Sequence, residues 1–222
     1  MLTQMFRGRL AWMTPLLWVC YVCSSATTFF LSLWGPTLLE QLGVSPGRAA
    51  IGVTFYSIAG LVAALILGRV IDRFGAIVIT LMPLIACPLV ASLGILPLSE
   101  GMYMVWMGLV GFFVVGGHAA LHSISGIFYP SAYRANGAGW ALSISRLGTI
   151  AGPFAGGILL AAHVPLKEVF LIAAMPPVVF GAGVCILGLF HRRVLQDEAV
   201  LDAARVALGA IAQRGPQAPV IA

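Results

Sequence analysis

Two histidines four residues apart, His118 and His122, and an arginine set deep in an apolar run, Arg146, are the side chains of this 222-residue chain best suited to chemistry. Four residues is just over one helical turn, so the two imidazoles share a helix face. An unperturbed imidazole titrates near pH 6.5, which suits a proton relay, and a protonated pair attracts an anion. Neutral histidines hydrogen-bonded between helices are an equal reading of the same spacing. No carboxylate or cysteine stands at suitable local spacing to complete a metal site, so no metal is expected. Arg146 lies well inside a run that begins at Gly137, too deep for its head group to reach water easily, and it needs an anionic partner. A substrate carboxylate would be gripped by two parallel hydrogen bonds from the guanidinium fork. The alternatives are a residue of another segment or a backbone carbonyl. Tyr21 and Trp140 are the aromatic side chains placed to hold a ring beside Arg146, or to serve as plain packing.

The elements that must position these residues are six apolar stretches: Trp12–Leu39, Ala49–Leu67, Ala76–Leu96, Met102–Phe128, Gly137–Ala162 and Val169–Phe190. Each is of a length to cross a hydrocarbon core, which takes about 20 apolar residues in a helix. Hydrophobic residues make up 60% of the chain and charged residues 9%, with a mean hydropathy of +1.03; a soluble domain carries about a quarter charged residues. Unbroken apolar runs without alternation favour helices over barrel strands. The expected fold is an all-α membrane protein, a bundle of six transmembrane helices over residues 12–190. A cytoplasmic segment at 1–11 and a cytoplasmic tail at 191–222 flank it. The first run is too long for a cleavable signal and is expected to act as a start-transfer helix. The tail is read as having no fold of its own, with a weakly amphipathic surface helix at Val194–Ala212 as the alternative.

Charge sets the orientation. With the N-terminus cytoplasmic, Arg7, Arg9, Arg69, Arg73, Arg134, Arg192 and Arg193 fall inside, against Arg48 and Lys167 outside. That positive-inside bias accounts for the net charge of +5 without a nucleic-acid partner. It predicts a multi-pass protein of the inner (plasma) membrane with both termini cytoplasmic. Cys20, Cys23, Cys87 and Cys185 all lie inside spans; the C-x-x-C string at Cys20 has no second pair and is read as packing.

Polarity gathers in the first, fourth and fifth spans, which are expected to line a polar path, while the third and sixth face lipid. The resulting 1/4 and 3/6 correspondence suggests two three-helix repeats. Gly148, Gly152 and Gly156 form a ladder at four-residue spacing that lets a neighbouring helix approach closely. Pro83, Pro88, Pro153, Pro176 and Pro177 are expected to kink their helices. Nucleotide-binding and serine-hydrolase motifs are absent and no carboxylate sits within a span, so neither an enzyme nor a cofactor is expected.

The string GRVIDRFG, Gly68–Gly75, joins the second and third spans and resembles the loop motif of the major facilitator superfamily through Gly68, Asp72, Arg73 and Gly75. Ala76, Ile77 and Val78 replace that motif's basic continuation. The stretch Phe128–Gly157 resembles the tenth-to-eleventh helix region of aromatic acid:proton symporters at Tyr129, Pro130, Arg134, Gly137, Gly139, Trp140, Arg146 and Gly148. Ser143 and Ser145 stand where that family favours glycine, and His118 and His122 where it favours amides. Trp34–Leu39 resembles the end of its seventh helix. The resemblance implies the C-terminal half of a twelve-helix transporter, helices seven to twelve. The acidic motif that the family carries in its first helix has no counterpart here.

What the resemblance implies is proton-coupled symport of aromatic or other small organic acids by alternating access. Its partners would be the lipid bilayer, the organic anion and protons. The other half would come from a separate polypeptide or a second copy of this chain. Arg146, His118, His122, Tyr21 and Trp140 would bind substrate, and Asp72 would latch onto Arg134 and the N-terminal end of the fifth helix. A non-transporting remnant or a membrane interaction module is the alternative.

Overall fold

The computed structural model describes the backbone of residues 10–74, 77–128 and 134–213, and side chains within 11–74, 77–122 and 135–189. The described residues form six helices and no strand: α1 (Leu10–Gln41), α2 (Pro46–Phe74), α3 (Ile77–Leu93), α4 (Glu100–Phe128), α5 (Arg134–Ala161) and α6 (Leu166–Gln213). Five are long and apolar enough to cross a membrane; α3, with 17 residues, is shorter and reaches about 25 Å at 1.5 Å per residue. The helices run unbroken through Pro15, Pro36, Pro83, Pro88, Pro153, Pro176 and Pro177. The chain divides into two compact units, Met1–Leu187 and Gly188–Ala222.

Two element boundaries differ from the sequence expectation. The second helix continues through Phe74, so Asp72 and Arg73 occupy its last turn rather than a loop. Backbone past His191 stays helical to Gln213, as in the alternative of a helix at Val194–Ala212 rather than a tail without a fold of its own. The extension of α6 passes through Arg, Leu, Gln, Glu and Ala, which keep good helix propensity while losing hydropathy.

The turns show why the apolar runs stop where they do. After α1, Gly43 adopts φ 92, and Val44 N–H and Gly43 N–H bond back to the carbonyls of Leu39 and Glu40. After α5, His163 takes the same left-handed place with φ 53, and Val164 and His163 bond to Leu159 and Leu160. Both are Schellman closures, and a proline follows each at Pro46 and Pro165. Ser99 opens α4, its hydroxyl accepting from Met102 N–H at 3.4 Å. Glu100 in the first turn of α4 pairs with Arg48 and accepts from Ser45 N–H at 3.3 Å, tying the starts of α2 and α4 together.

The most extensive helix pairings are α2 with α4 and α1 with α5. Glycines make them possible. A β-carbon on Gly111 would overlap the Tyr56 carbonyl, one on Gly116 would overlap Ala63, and one on Gly148 or Gly152 would overlap the Val22 or Ala26 carbonyl. Two apolar clusters result. One gathers Leu17, Tyr21, Leu67, Ile79, Leu121 and Val184; the other gathers Leu31, Leu38, Tyr56, Leu93, Met107 and Phe170. Helices α3 and α6 bury one face each, through residues such as Ile79 and Phe170, and expose the other at Leu84 and Met175.

Between the two clusters lies a polar layer from α1: Ser24, Ser25, Thr27 and Thr28, all buried. Thr28 donates to the Ser24 carbonyl at 2.9 Å and Thr27 to that of Cys23 at 3.4 Å. The polar residues of α1 thus lie mostly inside the bundle, because a hydroxyl in a helix can bond to the carbonyl one turn back at no cost to packing. Ser32 is the exposed one.

Candidate functional site

The polar layer continues into α4. Tyr21, Ser24 and Thr28 follow one another at three- and four-residue spacing, which places them on a single face of α1. His118 and His122 do the same on α4. The Ser24 hydroxyl lies 3.0 Å from His118 Nδ1. Tyr21 Oη donates to the Leu121 carbonyl at 3.1 Å. The rings of Tyr21 and His122 stand 5.5 Å apart and those of His118 and His122 5.1 Å apart, edge to face. One helix further, Tyr56 Oη donates to the Thr28 carbonyl at 3.2 Å. A buried seam of hydroxyls and imidazoles therefore stitches α1 to α2 and α4. It begins inside the bundle at Ser24 and His118 and ends on its surface, where His122 is exposed.

Trp140 reaches the seam from α5. It stacks on Trp18 with centroids 6.3 Å apart and planes 29° from parallel, and Trp18 precedes Tyr21 by three residues. Thus His122 contacts both Tyr21 and His118, and Trp140 stacks on Trp18, one turn from Tyr21. Neither Trp18 nor Ser24 stood among the candidate site residues. The signal for both was their one-turn spacing from Tyr21.

Arg146 is placed differently. Gly148 and Gly152 seat α5 on Val22 and Ala26, which sets Arg146 near the level of Tyr21. Its side chain is exposed, on the part of α5 turned away from that seat. The described carboxylates Glu40, Asp72, Glu100 and Glu168 all sit in terminal turns of their helices, and among the described residues none pairs with Arg146. The exposed guanidinium therefore has no carboxylate among the described residues to neutralise it.

The remaining candidates lie at the helix ends. Asp72 and Arg73 are exposed in the last turn of α2, with the Arg73 guanidinium 5.8 Å from the Phe74 ring centre. Gly68 is open, with nothing within 4 Å of a would-be β-carbon. Gly75 and the side chain of Arg134 lie outside the described residues, and with them the pairing of Asp72 with Arg134. Gly156 abuts the Trp34 indole, whose Nε1–H donates to the Pro153 carbonyl at 2.9 Å. With Gly148 and Gly152 it completes a contact running the length of the α1–α5 pair.

Comparison with known proteins gives these residues a context. The family description "Major Facilitator Superfamily" matches residues 17–218. A gallate transporter of Pseudomonas putida is 32% identical over 198 residues, which cover 89% of this chain and 44% of that protein. A 3-(3-hydroxy-phenyl)propionate transporter of Escherichia coli (strain K12) is 33% identical over 196 residues, covering 86% and 47%. A 4-hydroxybenzoate transporter of Pseudomonas putida is 29% identical over 189 residues, covering 83% and 41%. The chain spans about half the length of these curated relatives. Together with the five membrane-length helices, the matches make it a multi-pass membrane protein.

Proposed function

The chain belongs to the major facilitator superfamily, and from that premise we infer that it forms one six-helix half of a proton-coupled transporter for aromatic carboxylates. The observation that carries the reading is an exposed arginine without a described carboxylate partner, level with a seam of aromatic and imidazole rings. A benzoate-like anion needs those two things: a cation for its carboxylate and ring faces for its body.

In this reading Arg146 grips the substrate carboxylate, and Trp140 and Tyr21 flank its ring. Tyr21 is already anchored to Leu121, so it offers a fixed surface. His122, exposed beside it, binds anion or proton, while His118 is held by Ser24. The bundle at 12–190 rocks against its complement, so that the site opens to one side of the membrane at a time. Asp72, together with Gly68, Arg73, Gly75 and Arg134, forms a cytoplasmic latch that favours one of the two states. The segments 1–11 and 191–222 are cytoplasmic, and the membrane is the inner (plasma) membrane. Because relatives of known activity are about twice as long, the complement is either an N-terminal half or a second copy of this chain. The second reading is a remnant that inserts in the membrane but does not transport.

The test is uptake of radiolabelled 4-hydroxybenzoate by cells that lack aromatic-acid uptake and express this chain, with and without a protonophore. Accumulation that depends on the chain and collapses with the proton gradient supports the reading. Retention of the pH profile after His118→Gln and His122→Gln together would remove the histidines from proton coupling. No accumulation with the chain inserted in the membrane, alone or with an N-terminal half, would leave the remnant.

A further inference from the structure

On the flank of α5 opposite Arg146, the bundle holds an apolar groove of about 210 Å³ that the transport reading does not use. Its floor is Thr27 and Phe30 of α1, and its walls are Ala151 and Ala155 of α5 and Ile172 and Pro176 of α6. The floor is buried, whereas Ala151, Ala155 and Ile172 are exposed, so the groove opens on the outside of the bundle. It exists because the two alanines present only methyl groups to α6, and α5 and α6 do not close the gap although a turn of four residues, 162–165, joins them.

Three observations settle what chemistry the groove takes. Its only polar side chain here, Thr27, donates back to its own helix at Cys23, so no free polar group invites a solute. Ala151 is five residues from Arg146, a rotation of about 140°, which turns the groove away from that cation. Phe154 and Met175, next in sequence to the wall residues Ala155 and Pro176, are 69% and 61% exposed, an apolar surface suited to acyl chains. Ile172 and Pro176 lie about 9–15 Å from the start of α6, within a single leaflet of a hydrocarbon core about 30 Å thick.

We propose that this groove is the seat of one lipid acyl chain, from the leaflet beside the α5–α6 turn. A chain lying there restores the dispersion contacts that α5 and α6 fail to make with each other. Occupied, it acts as a removable wedge between them.

The test uses the 222-residue chain in nanodiscs containing a phospholipid with a photoactivatable diazirine at mid acyl chain. After irradiation and proteolysis, adducts are expected on residues 151–159 and 172–176 at about ten times the level on the equally exposed 61–66 stretch of α2, the ratio that roughly 1.4 kcal/mol of preference gives. Ala155→Phe fills the groove and should return labelling to that background, while Ile150→Phe, on the Arg146 side, should leave it unchanged. If Ala155→Phe fails to assemble, Ala151→Leu fills the same space with a smaller group and serves instead. Even labelling across exposed apolar residues, or enrichment that survives filling, would overturn the proposal. Displacement of the adducts by 4-hydroxybenzoate would also overturn it, by making the groove a solute site.

Discussion

Replacing Gly148 by alanine should separate α1 from α5, and the structure says by what mechanism. A β-carbon at residue 148 would overlap the Val22 carbonyl oxygen and come within 2.9 Å of its carbon and 3.0 Å of the Ala26 nitrogen. These are backbone atoms of a helix and cannot rotate aside. The helices must move apart, and because Gly152 and Gly156 share the same seat, contact is lost along the pair. Overpacking of this kind costs about 1–3 kcal/mol. Gly139, two turns earlier in the same helix, has nothing within 4 Å of its would-be β-carbon. There the exchange should gain up to about 1 kcal/mol from helix propensity alone. Two identical substitutions in one helix are thus predicted to differ by about 1–4 kcal/mol. Equilibrium unfolding in mixed micelles by titration with dodecyl sulfate, followed by circular dichroism, measures the difference. If Gly148→Ala unfolds at the same detergent fraction as Gly139→Ala, or later, the glycine seat is not what holds α1 to α5.

Four further outcomes follow from individual contacts. Ser24→Ala removes the bond to His118 and should cost about 0.6–1.7 kcal/mol in the same titration, the range of interhelical hydrogen bonds in membranes. Arg146→Lys keeps the charge but loses the planar fork, so binding of 4-hydroxybenzoate measured by calorimetry should weaken about tenfold or more; unchanged affinity would exclude the carboxylate clamp. Glu100→Gln breaks a pair whose side chains are 56% and 35% exposed, so its cost should stay below about 1 kcal/mol and shrink in high salt. His163→Gly relieves a left-handed residue with φ 53 and should raise stability by about 1 kcal/mol, read as a later unfolding midpoint.

The six helices were legible because lipid leaves a chain few choices: a run of apolar residues too long for a strand must close its own hydrogen bonds as a helix. What hydropathy could not see is where a helix ends once it leaves the apolar region. Asp72 and Arg73 read as loop residues by polarity, yet both complete the last turn of α2, Arg73 with good helix propensity and Asp72 against its own. Within the candidate site, i,i+4 spacing was enough to pair His118 with His122, because one helix fixes both. Partners on different helices were out of reach. Ser24 meets His118 across 94 residues, and nothing local distinguishes it from Ser25, one position on. Tyr21 was legible as an aromatic near the path, but its anchor is the backbone carbonyl of Leu121, an atom that every residue carries and no sequence pattern marks. Arg146 was legible through its depth, while the direction in which it points depends on the glycine seat that turns α5.

The α1–α5 seat also bears on how the protein is made. Trp34 and the Pro153 carbonyl it binds are 119 residues apart, and α1 leaves the ribosome four helices ahead of α5. At about 5–20 residues per second, α1 waits roughly 6–24 s in the bilayer before the glycines that fit it are synthesised. During that interval its contact strip around Val22 and Ala26 is open to any small-residue face nearby. Pairing of α2 with α4 completes first, so nascent chains halted between α4 and α5 should hold a finished pair and an orphaned first helix, the form in which a membrane quality-control protease would meet them.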